Sequence, residues 1–96
     1  MNIAKVIGTA ALLGKLAGAC EKLERSALQL QVILTRVPMR PEDLQDAKQA
    51  FLECCTDVGL CLRELDRAGI TAFDIGTAEK RLAKWQEQIR EEKANA

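Results

Sequence analysis

The 96-residue chain contains no histidine and no tyrosine, and its only aromatic side chains are Phe51, Phe73 and Trp85. Lack of histidine excludes Ser-His-Asp catalysis, imidazole metal ligands and imidazole switching near neutral pH. Three scattered aromatics do not make a platform for stacking bases. Net charge is missing too: 14 Lys and Arg balance 14 Asp and Glu. Bulk charge therefore does not drive the chain onto nucleic acid or an anionic membrane. Ser26 is the only serine and has no histidine to activate it. The G-x-x-x-x-G-K-[ST] phosphate loop is absent. The apolar stretch Val6–Gly14 is nine residues long, well short of the ~20 that span a bilayer as a helix.

The start of the chain has the outline of a secretory or lipoprotein signal, with an early lysine, an apolar stretch and small residues before Cys20. Lys15 interrupts that stretch close to the would-be cleavage site. Ala17, three residues before Cys20, is not the branched aliphatic residue a lipobox prefers. The expectation is a cytoplasmic chain. Cys20, Cys54, Cys55 and Cys61 lack the paired C-x-x-C spacing of a zinc site. On a helix Cys54 and Cys61 lie about 10 Å apart along the axis, too far for a mutual disulfide. Small buried apolar thiols are expected, with a clamp from Cys20 to Cys54 or Cys61 as the alternative.

What the chain has is helical periodicity. Apolar residues are 48% and charged residues 29%, the balance of a folded single domain spanning residues 1–96. Over residues 2–36, Val6, Leu13, Cys20, Ala27 and Leu34 recur every seven residues. Leu16, Leu23, Leu30 and Val37 do the same, so the two rows read as an a/d seam. Residues 27–35 also alternate as a strand would, but they continue the heptad register and have no second strand to pair with. Pro38 ends this segment.

A second helix, about 42–68, opens behind Pro41 with Glu42 and Asp43 at the positive end of its dipole. Its rows are Leu44, Phe51, Val58, Leu65 and Ala47, Cys54, Cys61, Ala68, widened by Cys55 and Leu62. Arg67 suits its last turn and Gly69 a left-handed stop. A third helix, about 77–93, has Thr71 with Asp74, or Thr77, as candidate caps. Its seam is Ile75, Leu82 and Ile89 with Ala78 and Trp85. The fold expected is all-α: an antiparallel three-helix bundle or helical hairpin with a long first helix and coiled-coil-like packing. Charge supports the hairpin, at +4 over residues 1–40 and −4 over residues 41–69. Each exposed pair adds only a few tenths to ~1 kcal/mol, so burial dominates.

The lengths do not match. A straight first helix reaches roughly 52 Å and its partner roughly 40 Å. The overhang falls at the N-terminus, which carries Ile3, Ile7 and Leu12. It reads as a contact surface, the alternative being a glycine bend that folds this end back onto the core. Off the seam lie Leu28 and Val32 in the first helix and Leu52 and Leu60 in the second, large apolar residues where a lone hairpin would meet water. Ile3, Ile7, Leu12, Leu28, Val32, Leu52 and Leu60 are therefore the candidate partner or dimer interface.

Chemistry finds little support. Glu42/Asp43 and Glu91/Glu92 lack the spacing of a cation loop and read as solvated charge. The sequence offers no catalytic, cofactor-binding or metal-binding set. The stretch 63–84 loosely has the form of a helix-turn-helix, with Lys80, Arg81 and Lys84 as candidate phosphate contacts; Leu65, Gly76 and the opposing Asp74 and Glu79 count against it. The expectation is a small non-enzymatic adaptor or inhibitor, of the kind viruses and mobile elements encode, pairing with itself and with another protein. The alternatives are a helix-turn-helix DNA-binding regulator and a membrane-surface or lipoprotein-like protein using Ile3–Leu16.

Overall fold

The second expected helix forms as the pattern dictates. In the computed structural model, which describes residues 1–36, Pro38 and residues 40–95, it spans Pro41–Arg67. It is the third of four helices: α1 Ile3–Ile7, α2 Thr9–Thr35, α3 Pro41–Arg67 and α4 Ile75–Ala94, with no strand among the described residues. Pro41 sits in the first turn of α3 with Glu42 and Asp43. Arg40 grips Asp43 through two contacts, Nε to Oδ2 at 3.0 Å and Nη2 to Oδ1 at 3.2 Å, and so holds the Asp43 carboxyl below its usual pKa. At the other end Gly69 takes φ +88°. The Gly69 N–H then reaches the Asp66 carbonyl and the Ile70 N–H the Leu65 carbonyl, both at 3.0 Å. This is the paired bonding of a Schellman stop, open to glycine because it has no Cβ to clash.

α2 and α3 pack against each other as an antiparallel hairpin. The expected rows of α3 all turn inward: Leu44, Ala47, Phe51, Cys54, Val58, Cys61, Leu65 and Ala68 are buried or half-buried. In α2 the row Leu16, Leu23, Leu30 is inward as expected, but its companion is Leu12, Ala19, Ser26 and Ile33. The expected companion row is one residue off: Leu13, Cys20 and Leu34 are exposed and Ala27 is only half-buried. Both choices alternate three and four residues around Leu16, Leu23 and Leu30, so periodicity alone does not separate them. Ser26 tolerates burial because its hydroxyl donates to the Leu23 carbonyl at 3.0 Å. Val37, expected to extend the seam, lies outside the described residues.

The long first helix is not continuous. Gly8 has φ 89° and ψ 152°, a region essentially reserved for glycine. The chain bends there, and α1 folds back against α2 and α3. Asn2 caps α1 by accepting the Lys5 N–H at 3.2 Å, and the Gly8 N–H closes it on the Ala4 carbonyl at 2.8 Å. Ala4, Leu12 and Leu65 form the buried cluster at this end, with Ile3, Leu16 and Ala68 packed on it. The expected N-terminal overhang is thus folded onto the body of the protein. Burial of Ile3, Ala4 and Leu12 against α3 drives this.

α4 forms, but it starts at Ile75 rather than residue 77. Asp74 is its N-cap, accepting the Thr77 N–H at 2.8 Å and the Thr77 hydroxyl at 2.9 Å, in place of the expected caps Thr71 or Thr77. Among the described residues α4 packs on none of the other helices. The molecule is accordingly drawn out, with a radius of gyration of 17.3 Å and extents of 48 × 36 × 17 Å. A compact chain of this length has a radius near ~12.5 Å.

Candidate interaction surface

The face that α4 would turn toward a bundle is left in water. Ile75, Ala78, Leu82, Trp85 and Ile89 follow one another at alternating steps of three and four, which puts them in one stripe along the helix. Ile75, Leu82, Trp85 and Ile89 each keep more than half of their surface exposed, and Phe73, just before the cap, is 74% exposed. The sequence marks this stripe as apolar and places it in the bundle seam, but nothing in it says what covers the stripe.

Of the seven expected interface residues, one is buried and one half-buried. Leu12 is 1% exposed and Ile3 is packed on the same cluster, because the Gly8 bend brings both against α3. Ile7, Leu28, Val32, Leu52 and Leu60 are exposed, but they do not form one patch. Leu28 and Val32 line a shallow groove of about 580 Å³ near the α2–α3 turn, facing Asp43, Asp46, Ala47 and Ala50. Leu60 lies toward the opposite end, in a groove of about 580 Å³ shared with Ile3, Leu12, Lys15, Lys22 and Glu64. Sequence reasoning missed the exposure of Leu13 and Leu34, which follows from the one-residue turn of the α2 seam.

Charge does not single out one site. In the Leu60 groove, Lys15, Lys22 and Arg63 face Asp57 and Glu64. Glu64 is buried; its Oε1 accepts from Arg63 and Arg67, and its Oε2 has no hydrogen-bond partner among the described residues. Lys80, Arg81 and Lys84, the candidate phosphate contacts, are exposed along α4. α4 does not pack on α3, so the packed corner that fixes a recognition helix is not formed. The Ile3–Leu16 segment is broken at Gly8 and turns Ala4 and Leu12 inward, away from any lipid surface. No helix among the described residues is long and apolar enough to cross a membrane. The four cysteines are free; Cys20 is exposed and the others are half-buried, so the expected full burial of the thiols is not met and the alternative clamp from Cys20 is not formed.

Comparison with known protein families, curated proteins and solved structures gives no match for this chain.

The surface as a whole is larger than one folded chain of this mass presents. The accessible area is 7721 Å², against about 5,500 Å² for a compact monomer of 10.6 kDa. The excess, about 2,200 Å² per chain by the same scaling, is larger than the roughly 800 Å² that each partner contributes to a standard protein–protein interface.

Proposed function

We propose that this chain is a small non-enzymatic protein–protein interaction module. It is a cytoplasmic adaptor or inhibitor that lays apolar helix faces against another protein and against a second copy of itself. The single observation that carries this reading is the apolar stripe of α4, left uncovered because α4 stands clear of the α2–α3 hairpin. Helices in proteins take most of their stability from packing an amphipathic face, so α4, 20 residues long and packed on no other described helix, calls for a partner. Apolar stripes at helical spacing, flanked by charge, are a standard means of helix recognition.

The test is quantitative capture from cells of the native host, comparing the wild-type chain with Leu28→Asp and with Trp85→Asp. Both positions are more than half exposed, so the hairpin should keep its circular dichroism. The reading expects a defined partner, or a second copy, that binds the wild type and is lost from at least one variant. A wild-type chain that binds nothing and sediments as a monomer at high micromolar concentration overturns it.

A further inference from the structure

We propose that α4 is a self-pairing helix, which docks antiparallel on α4 of a second copy of this chain. This rests on the reading of the chain as an interaction module and names the occupant of its most exposed face. The argument begins with side-chain volume. In heptad terms Ile75, Leu82 and Ile89 take one row of the α4 stripe, and Ala78, Trp85 and Glu92 take the other. A parallel pair sets each row against itself. Trp85 would then meet Trp85, Ala78 would meet Ala78 with a void between them, and Glu92 would meet Glu92. An antiparallel pair sets one row against the other. Ala78 then faces Ile89, Leu82 faces Trp85, and Glu92 faces Ile75 at the open ends of the seam, so the one small residue lies opposite a large one and no carboxylate meets its like.

Electrostatics favours the same alignment. Glu91 and Glu92 lie in the last turn of α4, the negative end of the helix dipole, where carboxylates are disfavoured. The antiparallel pair carries them to the level of Ile75 on the partner, beside the positive end of its α4. The two dipoles also oppose each other. In a parallel pair Asp74 and Glu79 would flank the seam together, whereas the antiparallel pair keeps them apart.

Area is the third argument. Two chains together expose about 4,400 Å² more than two compact monomers, and permanent homodimers bury about 2,000–5,000 Å² over both partners. An α4 pair takes up part of that excess and leaves the hairpin face at Leu28 and Val32 for another protein. A two-fold pair is closed, so the self-association stops at two.

The experiment uses the full chain and two variants, Leu82→Glu and Trp85→Lys, studied by equilibrium sedimentation alone and as an equimolar mixture, with Leu28→Asp studied alone as the hairpin control. The wild type is expected to be a dimer. Each variant alone should bind itself roughly tenfold or more weakly, since a charge then enters the seam. Mixed, the variants should form a heterodimer, because only the antiparallel layer sets position 82 of one chain against position 85 of the other. Variants that stay apart when mixed overturn the alignment. A dimer that survives Leu82→Glu but dissociates in Leu28→Asp shows that the hairpin, not α4, carries self-association, and leaves the interaction-module reading standing. A monomeric wild type that still captures a host protein through Trp85 overturns self-pairing alone.

Discussion

Arg67 reaches back one turn of α3 to the buried carboxylate of Glu64, with Nη1 at 3.5 Å from Oε1. Arg63 adds a second contact to the same oxygen at 3.2 Å, while Oε2 is buried with no partner among the described residues. Both arginine side chains are more than half exposed and that of Glu64 is not. The two sides of the interaction therefore respond differently to mutation. Removing the carboxylate returns two arginines to water; removing the arginines strands a charge in the protein interior.

Glu64→Met is thus expected to leave stability unchanged or to raise it by about 1 kcal/mol. The double variant Arg63→Ala/Arg67→Ala is expected to lower it. Urea denaturation followed by circular dichroism gives both values. A strongly destabilised Glu64→Met would mean that the carboxylate is held by more than its two arginines.

The register of α2 predicts a contrast between adjacent leucines. Leu12 is 1% exposed and Leu13 is 44% exposed. Leu12→Ala should cost about 2–5 kcal/mol, as buried leucines do, and Leu13→Ala much less. Equal losses at the two positions would place the seam between them.

That contrast also shows how far the pattern of residues reaches. The inward face of α3 was legible because Leu44, Phe51, Val58 and Leu65 have no rival row. The face of α2 was half legible: Leu16, Leu23 and Leu30 are shared by two registers, and Leu12 and Leu13 are the same residue type. The break at Gly8 was legible only as an alternative. Gly14 and Gly18 remain inside α2, and what separates Gly8 from them is the long-range clustering of Ala4 with Leu12 and Leu65, which no local spacing reveals. The stripe of α4 could be read in full, but its place could not, because an apolar face does not say which surface it meets.

Gly8 and Gly18 should respond to alanine in opposite directions. At Gly8 a Cβ has open space around it but the backbone sits at φ +89°, so Gly8→Ala should destabilise by about 1–3 kcal/mol through strain alone. Gly18 is helical and a Cβ there also meets nothing within 4 Å. Gly18→Ala should stabilise by about 0.5–1 kcal/mol. Thermal unfolding of the two variants at equal protein concentration decides the point.

Acid should loosen the start of α4. The Thr77 N–H and hydroxyl both donate to the Asp74 carboxylate and hold its pKa below the ordinary value. A depressed folded-state pKa gives stability that is complete above the unfolded value near ~4 and is lost as pH falls through the folded value. Amide shifts of residues 75–78 should move toward coil over that acid range. In Asp74→Asn, which keeps an accepting oxygen but does not titrate, the same shifts should stay flat.

The doubling back at Gly8 also bears on how the chain assembles. α2 and α3 meet through a short turn, so they can find each other early. α1 has five residues, too few to hold a helix unaided, and its anchor at Leu65 is about sixty residues away along the chain, a late and slow closure. The first seven residues therefore act as a latch that closes last and opens first, and hydrogen exchange should reach the amides of α1 long before it reaches those of the hairpin.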